Sequence, residues 1–261
     1  DLQSLISERT KAILPVHMLG VAANLEAILK IATESGISVV EDSCESIGST
    51  YNGQSLGTLG QAGAISFDQG KMLATGEGGM VLTNYAAVSK YACEYHDHGH
   101  ESNPDRPRGR DTHSIYGFNY RMTEMQGAVG KVQLSKLSRM LEANKERYQA
   151  LEDAMGGKYL LRTIPEECAP TFDTLILIEP NEYIRKKIID TCIKEGFGTK
   201  NLPDAMEWHC TAFWDHALSA EQVSRSQKTK KILEEAIAVP ISLLKSVENY
   251  QVLGNLLAKL K

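Results

Sequence analysis

The sequence lacks the usual marks of a secreted or membrane-bound protein. Its five cysteines are an odd number and include no Cys-x-x-Cys pair, so they indicate reduced thiols in a cytoplasmic protein rather than a disulfide framework. No apolar run approaches the roughly 18 residues of a membrane-spanning helix, and no signal peptide opens the sequence. We therefore expect a cytoplasmic protein without a membrane partner.

Positive charge is also scarce. The 28 lysines and arginines are outnumbered by 33 acidic residues, which leaves a net charge of −5 over 261 residues. Proteins that bind nucleic acids or membrane surfaces generally favour a basic patch, so we expect no nucleic-acid partner. The hydrophobic content of 42% and the charged content of 23% are typical of a soluble globular protein, and the length allows one large or two ordinary domains.

The predicted chemistry centres on one lysine. The short apolar run Ala64–Phe67 is bounded by glycine, which is typical of a buried strand, and Lys71 follows in a glycine-rich turn. Open α/β sheets bind ligands outside the carboxyl ends of their strands, where partial desolvation can make an amine a nucleophile toward a carbonyl. A lysine taken alone is more often an ordinary exposed side chain, so this interpretation needs a second feature.

The second feature is a pair of acids at the end of another strand pattern. The apolar run Ile37–Glu41 is followed directly by Asp42, and a carboxylate that interrupts an apolar strand must find a partner or stay near water. A lysine that forms an imine and a carboxylate that holds a protonated pyridine nitrogen are the two protein groups that pyridoxal phosphate needs. Lys71 and Asp42 are candidates for these two groups.

The remaining patterns alternate strands and helices. A strand over Lys11–Val16, a helix capped by Asn24 and the strand Ile37–Glu41 form a βαβ unit, which predicts parallel pairing. Further along the chain we predict a tight turn at Tyr51–Gln54, a strand Met80–Thr83 and a helix capped by Asn84. A capping box at Thr123 then opens one long helix, which Gly156-Gly157 ends. We predict a smaller α+β region after this helix.

Five stretches in this order carry a family resemblance. They are Thr10–Gly20, Val40–Gly48, Ser66–Lys71, Gly76–Gly79 and Gly117–Met122. Together they resemble the DegT/DnrJ/EryC1/StrS family of sugar aminotransferases. The resemblance implies an aspartate-aminotransferase-like α/β fold, fold type I of the pyridoxal-phosphate enzymes. It implies a large domain with a mostly parallel sheet over 1–140 and a smaller C-terminal α+β domain over 141–261. Members of the family carry more chain before the first stretch, so we expect an N-terminal segment to be missing here.

The resemblance also assigns roles to side chains. It implies that Lys71 holds pyridoxal 5'-phosphate as an internal imine and then acts as the acid–base, that Asp42 pairs with the pyridinium nitrogen, and that Ser66 hydrogen-bonds the cofactor phosphate. It further implies that Asn119 reaches the cofactor phosphate of the other subunit and that Arg121 lies near that shared site. A homodimer with two composite active sites follows from this.

The candidate site has two further parts, one in each predicted domain. Glu45 stands near the ring hydroxyl, where many sugar aminotransferases have Gln or His, and a carboxylate there repels the phenolate unless a proton is shared. In the smaller domain, His209 lies where the family contacts substrate. The alternating His96, His98 and His100 do not set up a tetrahedral site, so we predict no metal.

Three functions remain open at this point. The first is transamination of a keto sugar, expected to be nucleotide-linked, with glutamate as the amino donor, in amino-sugar and surface-polysaccharide biosynthesis. The second is a pyridoxal-phosphate-dependent sugar 3-dehydratase. Glu45 favours this reaction, whereas Lys71 disfavours it because the family's dehydratases have histidine there. The third is a non-catalytic fragment or partner subunit.

Overall fold

The structure is a computed structural model that describes residues 2–261, and strands and helices alternate along most of it. The strands are β1 (Ala12–Ile13), β2 (Ser38–Asp42), β3 (Thr50–Tyr51), β4 (Gln54–Ser55), β5 (Ala62–Ser66), β6 (Gly79–Leu82), β7 (Leu160–Leu161), β8 (Cys168–Ala169), β9 (Thr174–Ile178) and β10 (Ala236–Pro240). The α-helices are α1 (Leu2–Leu5), α2 (Leu25–Ser35), α3 (Ala86–His96), α4 (Glu124–Leu134), α5 (Leu137–Met155), α6 (Glu182–Lys194), α7 (Met206–His209), α8 (Ala220–Ser224), α9 (Gln227–Glu234) and α10 (Val247–Ala258).

A four-stranded sheet organises the first part of the chain. Its strand order is β1-β2-β5-β6. The pairs β1/β2 and β2/β5 are parallel, whereas β6 runs antiparallel to β5. The predicted mostly parallel sheet is therefore confirmed, as is the predicted βαβ unit in which α2 connects β1 to β2.

Helix α2 has the predicted ends. The Asn24 side chain accepts a hydrogen bond from the Ala27 N–H at 3.1 Å, and such a cap contributes about 1 kcal/mol to helix stability. Gly36 ends the helix in the left-handed conformation, with φ 64°. The buried Ala32 packs in one apolar cluster with Ile13 and Val39, which holds the helix against the sheet.

Two helix predictions are wrong. Asn84 does not cap α3, because the residue before the helix is Tyr85 and it makes no side-chain cap bond. The long helix predicted from Thr123 is two helices, α4 and α5, although the capping box at Thr123 is present. The Ser135 hydroxyl donates to the Val132 carbonyl at 2.8 Å. Such a local bond competes with continued helix geometry, which accounts for the interruption.

The chain divides into two compact units. One consists of Asp1–Ser138 and Ile164–Thr171, and the other of Arg139–Thr163 and Phe172–Lys261. Ile164–Thr171 joins the first unit because β8 pairs with β3 there. The neighbouring β3–β4 hairpin turns through Asn52-Gly53, whose φ angles are 50° and 77°. This is the geometry of the tight turn predicted for that dipeptide.

The second unit has its own sheet and core. Its strands β10-β9-β7 are antiparallel, and the first four residues of β9 and of β10 are buried. Helices α6 and α10 pack together, and α10 buries Tyr250, Leu253 and Leu257. This is the small α+β unit that the sequence predicts. Within residues 2–261, no helix combines the length and the apolar character needed to cross a membrane.

A buried carboxylate holds the first sheet to its surroundings. Glu41 of β2 has no exposed surface. Its Oε2 atom lies 3.0 Å from Nε2 of His17 and accepts the Gly57 N–H at 2.8 Å. Its Oε1 atom accepts the N–H groups of Leu59 and Gly60, both at 2.7 Å. Four donors from two loops therefore converge on one side chain of β2.

The tautomer of His17 follows from its other nitrogen. The Ala23 backbone N–H donates to Nδ1 of His17 at 3.1 Å. Because a backbone N–H can only donate, Nδ1 carries no proton and the ring is neutral, with its proton on Nε2. His17 therefore donates to Glu41, and the buried acid is stabilised by hydrogen bonds rather than by an opposite charge.

Replacing Glu41 by Gln should lower the free energy of unfolding by about 3 kcal/mol, because the amide nitrogen would face N–H donors and leave them unsatisfied. Urea unfolding at neutral pH measures this change. The matched control is Glu26→Gln, on the exposed side of α2, which should stay within about 0.5 kcal/mol of the wild type. Equal effects of the two changes would contradict the role of Glu41.

The same carboxylate predicts a pH dependence. Burial opposes ionisation of Glu41, but hydrogen bonds from His17, Gly60, Gly57 and Leu59 outweigh it and hold the pKa below the ordinary value of 4.5. The stabilisation is therefore complete above pH 4.5 and is lost as the pH falls through the lower pKa of the folded state. We expect the difference between the wild type and Glu41→Gln to shrink in that acidic range.

Candidate active site

Two strands end side by side at the candidate site. Asp42 is the last residue of β2 and Ser66 the last of β5, and Asp42 pairs with Ala64 across the parallel ladder. Because side chains alternate along a strand, Ser66 lies on the same face as Ala64 and therefore as Asp42. Glu41, which pairs with Gly63, faces the opposite side. The two consecutive acids are thus separated onto different faces of the sheet.

The face that carries Glu41 is closed by a loop. A side chain at Gly63 would place its Cβ atom 2.2 Å from the Gly57 carbonyl oxygen, so only glycine allows this approach. Gly57 is also one of the donors to Glu41. The loop is consequently held against β5 both by backbone contact and by the buried carboxylate, and the face of Asp42 and Ser66 is the one left for a ligand.

Hydrogen bonds within the turn after β5 fix the position of Lys71. The Asp68 carboxylate accepts the Gly70 N–H at 2.8 Å, and the Asp68 carbonyl accepts the Lys71 N–H at 3.0 Å. Further on, the Thr75 N–H donates to the Phe67 carbonyl at 2.9 Å. The turn therefore returns to the end of its own strand, and Lys71 is presented beside the carboxyl end of β5.

Lys71 forms an ion pair with Glu45. The Lys71 Nζ atom lies 3.5 Å from Glu45 Oε1, and both side chains are largely shielded from solvent. The other carboxylate oxygen, Oε2, accepts the Leu19 N–H at 3.0 Å. Lys71 and Glu45, which are separated by more than 20 positions in the sequence, therefore meet at the end of the sheet.

Cys44 is surrounded by the charged members of this cluster. Its N–H donates to Asp42 Oδ1 at 3.1 Å. Burial raises the pKa of the Cys44 thiol to about 11; the hydrogen bond and charge of Asp42 and the charge of Glu45 add to this rise, and the Lys71 charge opposes it. The thiol therefore remains protonated at neutral pH. Asp42, Glu45 and Lys71 all act on this one thiol, which places the three groups in one neighbourhood.

Asn119 and Arg121 belong to a second cluster, which is centred on Asp97. Asn119 is exposed, and its backbone pairs with that of Asp97 at the end of α3. Arg108 binds the Asp97 carboxylate through both terminal nitrogens, at 2.7 and 2.5 Å, and Arg121 donates to the same carboxylate. The Arg108 hydrogen bond, helped by Arg121 and opposed by burial, holds the pKa of Asp97 well below its usual range.

The structure shows no contact of the remaining predicted residues, as far as residues 2–261 are described, with Lys71 or Asp42. His100 packs its ring 4.4 Å from that of His113, and its Nδ1 atom lies 3.4 Å from Asp111. Within residues 2–261, no group of three or more His, Cys, Asp or Glu side chains is arranged to hold a metal ion. His209 belongs to the second unit, where it is exposed at the end of α7. Its contact with substrate stays a prediction.

Sequence patterns did not predict the roles of two residues, His17 and Asp97. An acid inside the apolar β2 pattern signalled that Glu41 needs a partner, but nothing in the spacing pointed to His17, which lies 24 positions away. Asp97 stands among the alternating histidines, and no spacing rule predicts its pairing with Arg108 and Arg121. The available signal was the basic run that begins at Arg106, whose charges require counter-ions when they are ordered.

The fold and the lysine-bearing strand end define the class of protein. The chain belongs to the DegT/DnrJ/EryC1/StrS aminotransferase family, whose model matches residues 1–256. A GDP-perosamine synthase of Caulobacter vibrioides is 38% identical over 144 residues, which are 55% of this chain and 38% of that enzyme. The chain spans about two fifths of the length of the first curated relatives that it matches.

Solved structures share the fold at low sequence identity. An aminotransferase from Psychrobacter cryohalolentis has a TM-score of 0.82 at 24% identity, over 97% of this chain and 69% of that chain. An E. coli GDP-4-keto-6-deoxy-D-mannose-3-dehydratase with bound hydrated PLP has a TM-score of 0.80 at 22% identity, over 98% and 69% respectively. The aspartate-aminotransferase-like fold expected from the resemblance is confirmed.

Replacing Asp97 by Asn should make the segment after α3 more susceptible to trypsin, because the two charge-assisted hydrogen bonds from Arg108 would be reduced to one neutral hydrogen bond. We expect cleavage after Arg108 and Arg110 to become several times faster, as followed by mass spectrometry of the fragments. Asp105→Asn is the matched control, since Asp105 is an exposed acid of the same loop. Unchanged cleavage in Asp97→Asn would show that the ion pair does not order this segment.

Proposed function

We propose that this protein takes part in pyridoxal-phosphate-dependent transamination of a keto sugar, with an amino acid, expected to be glutamate, as the donor. The observation that carries the proposal is the position of Lys71. It lies in an ordered turn after β5, beside the Asp42-bearing end of β2, and 3.5 Å from Glu45. An amine paired with one carboxylate, with a second carboxylate at the end of the neighbouring parallel strand, is suited to chemistry on a carbonyl compound.

The side chains present fit the cofactor by their chemistry. An amine, a carboxylate and a hydroxyl are supplied by Lys71, Asp42 and Ser66, the last two on one face of the sheet. When bound, pyridoxal phosphate supplies an aldehyde carbon and an electron-accepting ring. Asp42 would hold the protonated ring nitrogen, Ser66 would donate to a phosphate oxygen, and Lys71 would bind the aldehyde carbon.

Lys71 has a second task in this proposal. Once released from the cofactor, its amine would move a proton at the substrate carbon, a contribution of about 10²–10⁴ in rate for a well-placed acid–base. The ordered turn from Asp68 to Thr75 supports this role because it keeps the amine beside the strand ends. A mobile lysine would lose the positioning on which such catalysis depends.

The substrate and the assembly are inferred from relatives and resemblance. The name of the GDP-perosamine synthase relative supports a nucleotide-linked sugar. From the family resemblance we infer that the substrate is a keto sugar and that the product is an amino sugar for surface polysaccharide. The exposed Asn119 and the partly exposed Arg121, both ordered beside Asp97, are available to a second copy of the chain. We therefore propose a homodimer in which these residues contribute to the partner's cofactor site.

A 3-dehydratase is the second candidate, and Glu45 is the observation that favours it. The carboxylate lies beside the site, and a dehydratase is among the structures that share the fold. Lys71 argues against this reaction, because exchange of the amino group between donor and cofactor needs that amine. The products separate the two functions, since one reaction yields an amino sugar and the other a deoxy sugar.

Titration of the wild-type protein with pyridoxal phosphate should produce the visible absorption band of the lysine-bound cofactor, and Lys71→Ala should abolish it. The control Lys30→Ala removes an exposed lysine of α2 and should keep the band. Retention of the band in Lys71→Ala would reject the lysine assignment. Absence of any cofactor binding by the wild type would favour a non-catalytic subunit.

A further inference from the structure

Glu45 is held between a backbone N–H group and the Lys71 amine. Its Oε2 atom accepts the Leu19 N–H at 3.0 Å, and its Oε1 atom lies 3.5 Å from Lys71 Nζ. With a separate partner for each oxygen, the plane and position of the carboxylate are both constrained. The Glu45 side chain is only 15% exposed, so this constraint operates in a partly desolvated environment, where an ion pair is stronger than in water.

The backbone at Leu19 is adapted to this arrangement. Leu19 has φ 53° and ψ 42° and is 2% exposed. The left-handed conformation is disfavoured for a residue with a branched side chain. It persists only where the surrounding structure determines it, as commonly occurs at functional sites. The strained residue is the one whose N–H binds Glu45, so the turn Met18–Gly20 is built around the carboxylate.

The charges around Lys71 are predominantly negative. Glu45 binds the amine directly, and the pKa of Cys44 is shifted by Asp42, by Lys71 and by Glu45. The Lys71 amine is therefore held directly against an acidic side chain. A lysine must nevertheless lose one proton before its nitrogen can attack a carbonyl carbon. Some group has to accept that proton at the site or release it to solvent.

We propose that Glu45 is the positioning residue and proton partner of Lys71, an inference that rests on the proposed function. In the cofactor-free protein the Glu45 carboxylate holds the Lys71 ammonium at the strand ends. When the amine reacts, the N–H bond of Nζ breaks, an O–H bond forms at Glu45 Oε1, and the electron pair remains on Nζ. The carboxylate, which differs from the Gln or His of many sugar aminotransferases, thus positions the amine and accepts its proton.

The test is acylation of the cofactor-free protein with limiting acetic anhydride, followed by mass mapping of the modified lysines. Labelling of Lys71 is compared with that of the exposed Lys30 in the same sample. Glu45→Gln should increase Lys71 labelling about threefold at neutral pH, because the partly exposed ion pair that holds the amine in place is lost. Glu45→Asp keeps the charge and should restore labelling toward the wild-type value.

The matched control is Glu234→Gln, which removes the acid of another lysine pair, Lys230–Glu234, with a separation of 3.8 Å. It should leave Lys71 labelling unchanged. If Glu45→Gln does not fold, as judged by circular dichroism, a salt series on the wild type replaces it. Salt screens a partly exposed pair, so Lys71 labelling should rise relative to Lys30 labelling. Equal labelling in the wild type and Glu45→Gln, or no salt effect, overturns the proposal.

A second readout uses the cofactor-loaded protein. The pH at which the visible absorption band changes should differ between the wild type and Glu45→Gln, since the carboxylate interacts with the nitrogen that carries the cofactor. An unchanged pH profile counts against the proposal. The acylation assay contains no cofactor, so it can support Glu45 as the partner of Lys71 even if Lys71→Ala shows that the proposed function is wrong. The two ideas can therefore fail separately.

Discussion

The structure of the first unit depends on one buried carboxylate. Transfer of an ionised acid out of water costs several kcal/mol even after relaxation, and Glu41 has no exposed surface. Four hydrogen bonds offset that cost, one from His17 and three from backbone N–H groups between Gly57 and Gly60. Because the donors come from separate segments, the requirement to satisfy one charge fixes where both loops lie. The neutral His17 ring also accepts the Ala23 N–H, so the same hydrogen-bond network fixes the backbone just before α2 begins.

The same constraint determines where the candidate chemistry is located. Successive residues of a strand face opposite sides of the sheet, so once Glu41 is anchored on one face, Asp42 must lie on the other. The parallel register with β5 then brings Ser66 to the face of Asp42, and Gly63 lets the anchored loop close the opposite face. A shift of one residue in this register would exchange the two acids and place Asp42 under the loop. The structural carboxylate and the candidate cofactor-binding carboxylate are therefore neighbours in sequence with separate tasks.

Local patterns predicted much of this fold, whereas contacts between distant residues were not predictable. The α2 helix, the Asn52-Gly53 hairpin and the strands β5 and β6 follow from capping, turn chemistry and short apolar runs, which act over a few residues. The interruption after α4 depends on whether the Ser135 hydroxyl bonds to a carbonyl of its own helix. The periodicity of apolar residues does not indicate whether that bond forms. The pairing of Arg121 with Asp97 joins residues 24 positions apart across a loop, and no spacing rule identifies it. The Lys71–Glu45 contact was unpredictable for the same reason. Each residue was a candidate on its own, but their contact depends on the turn after β5 and on Leu19.

The distribution of charge also constrains how a phosphorylated ligand can bind. Asp42 and Glu45 contribute two negative charges near one another, and Lys71 offsets only one of them. A phosphate dianion is repelled by such a pair at short range, with a Coulomb energy of about 1 kcal/mol per charge pair at 4 Å in water and more in a partly desolvated site. The phosphate of a bound cofactor is therefore expected on the side of Ser66, at the end of β5, where a hydroxyl can donate to it. The ring of the cofactor, in contrast, gains from an adjacent carboxylate if its nitrogen is protonated. If pyridoxal phosphate binds as proposed, the two acids would favour an orientation with its cationic nitrogen toward Asp42 and its phosphate toward Ser66.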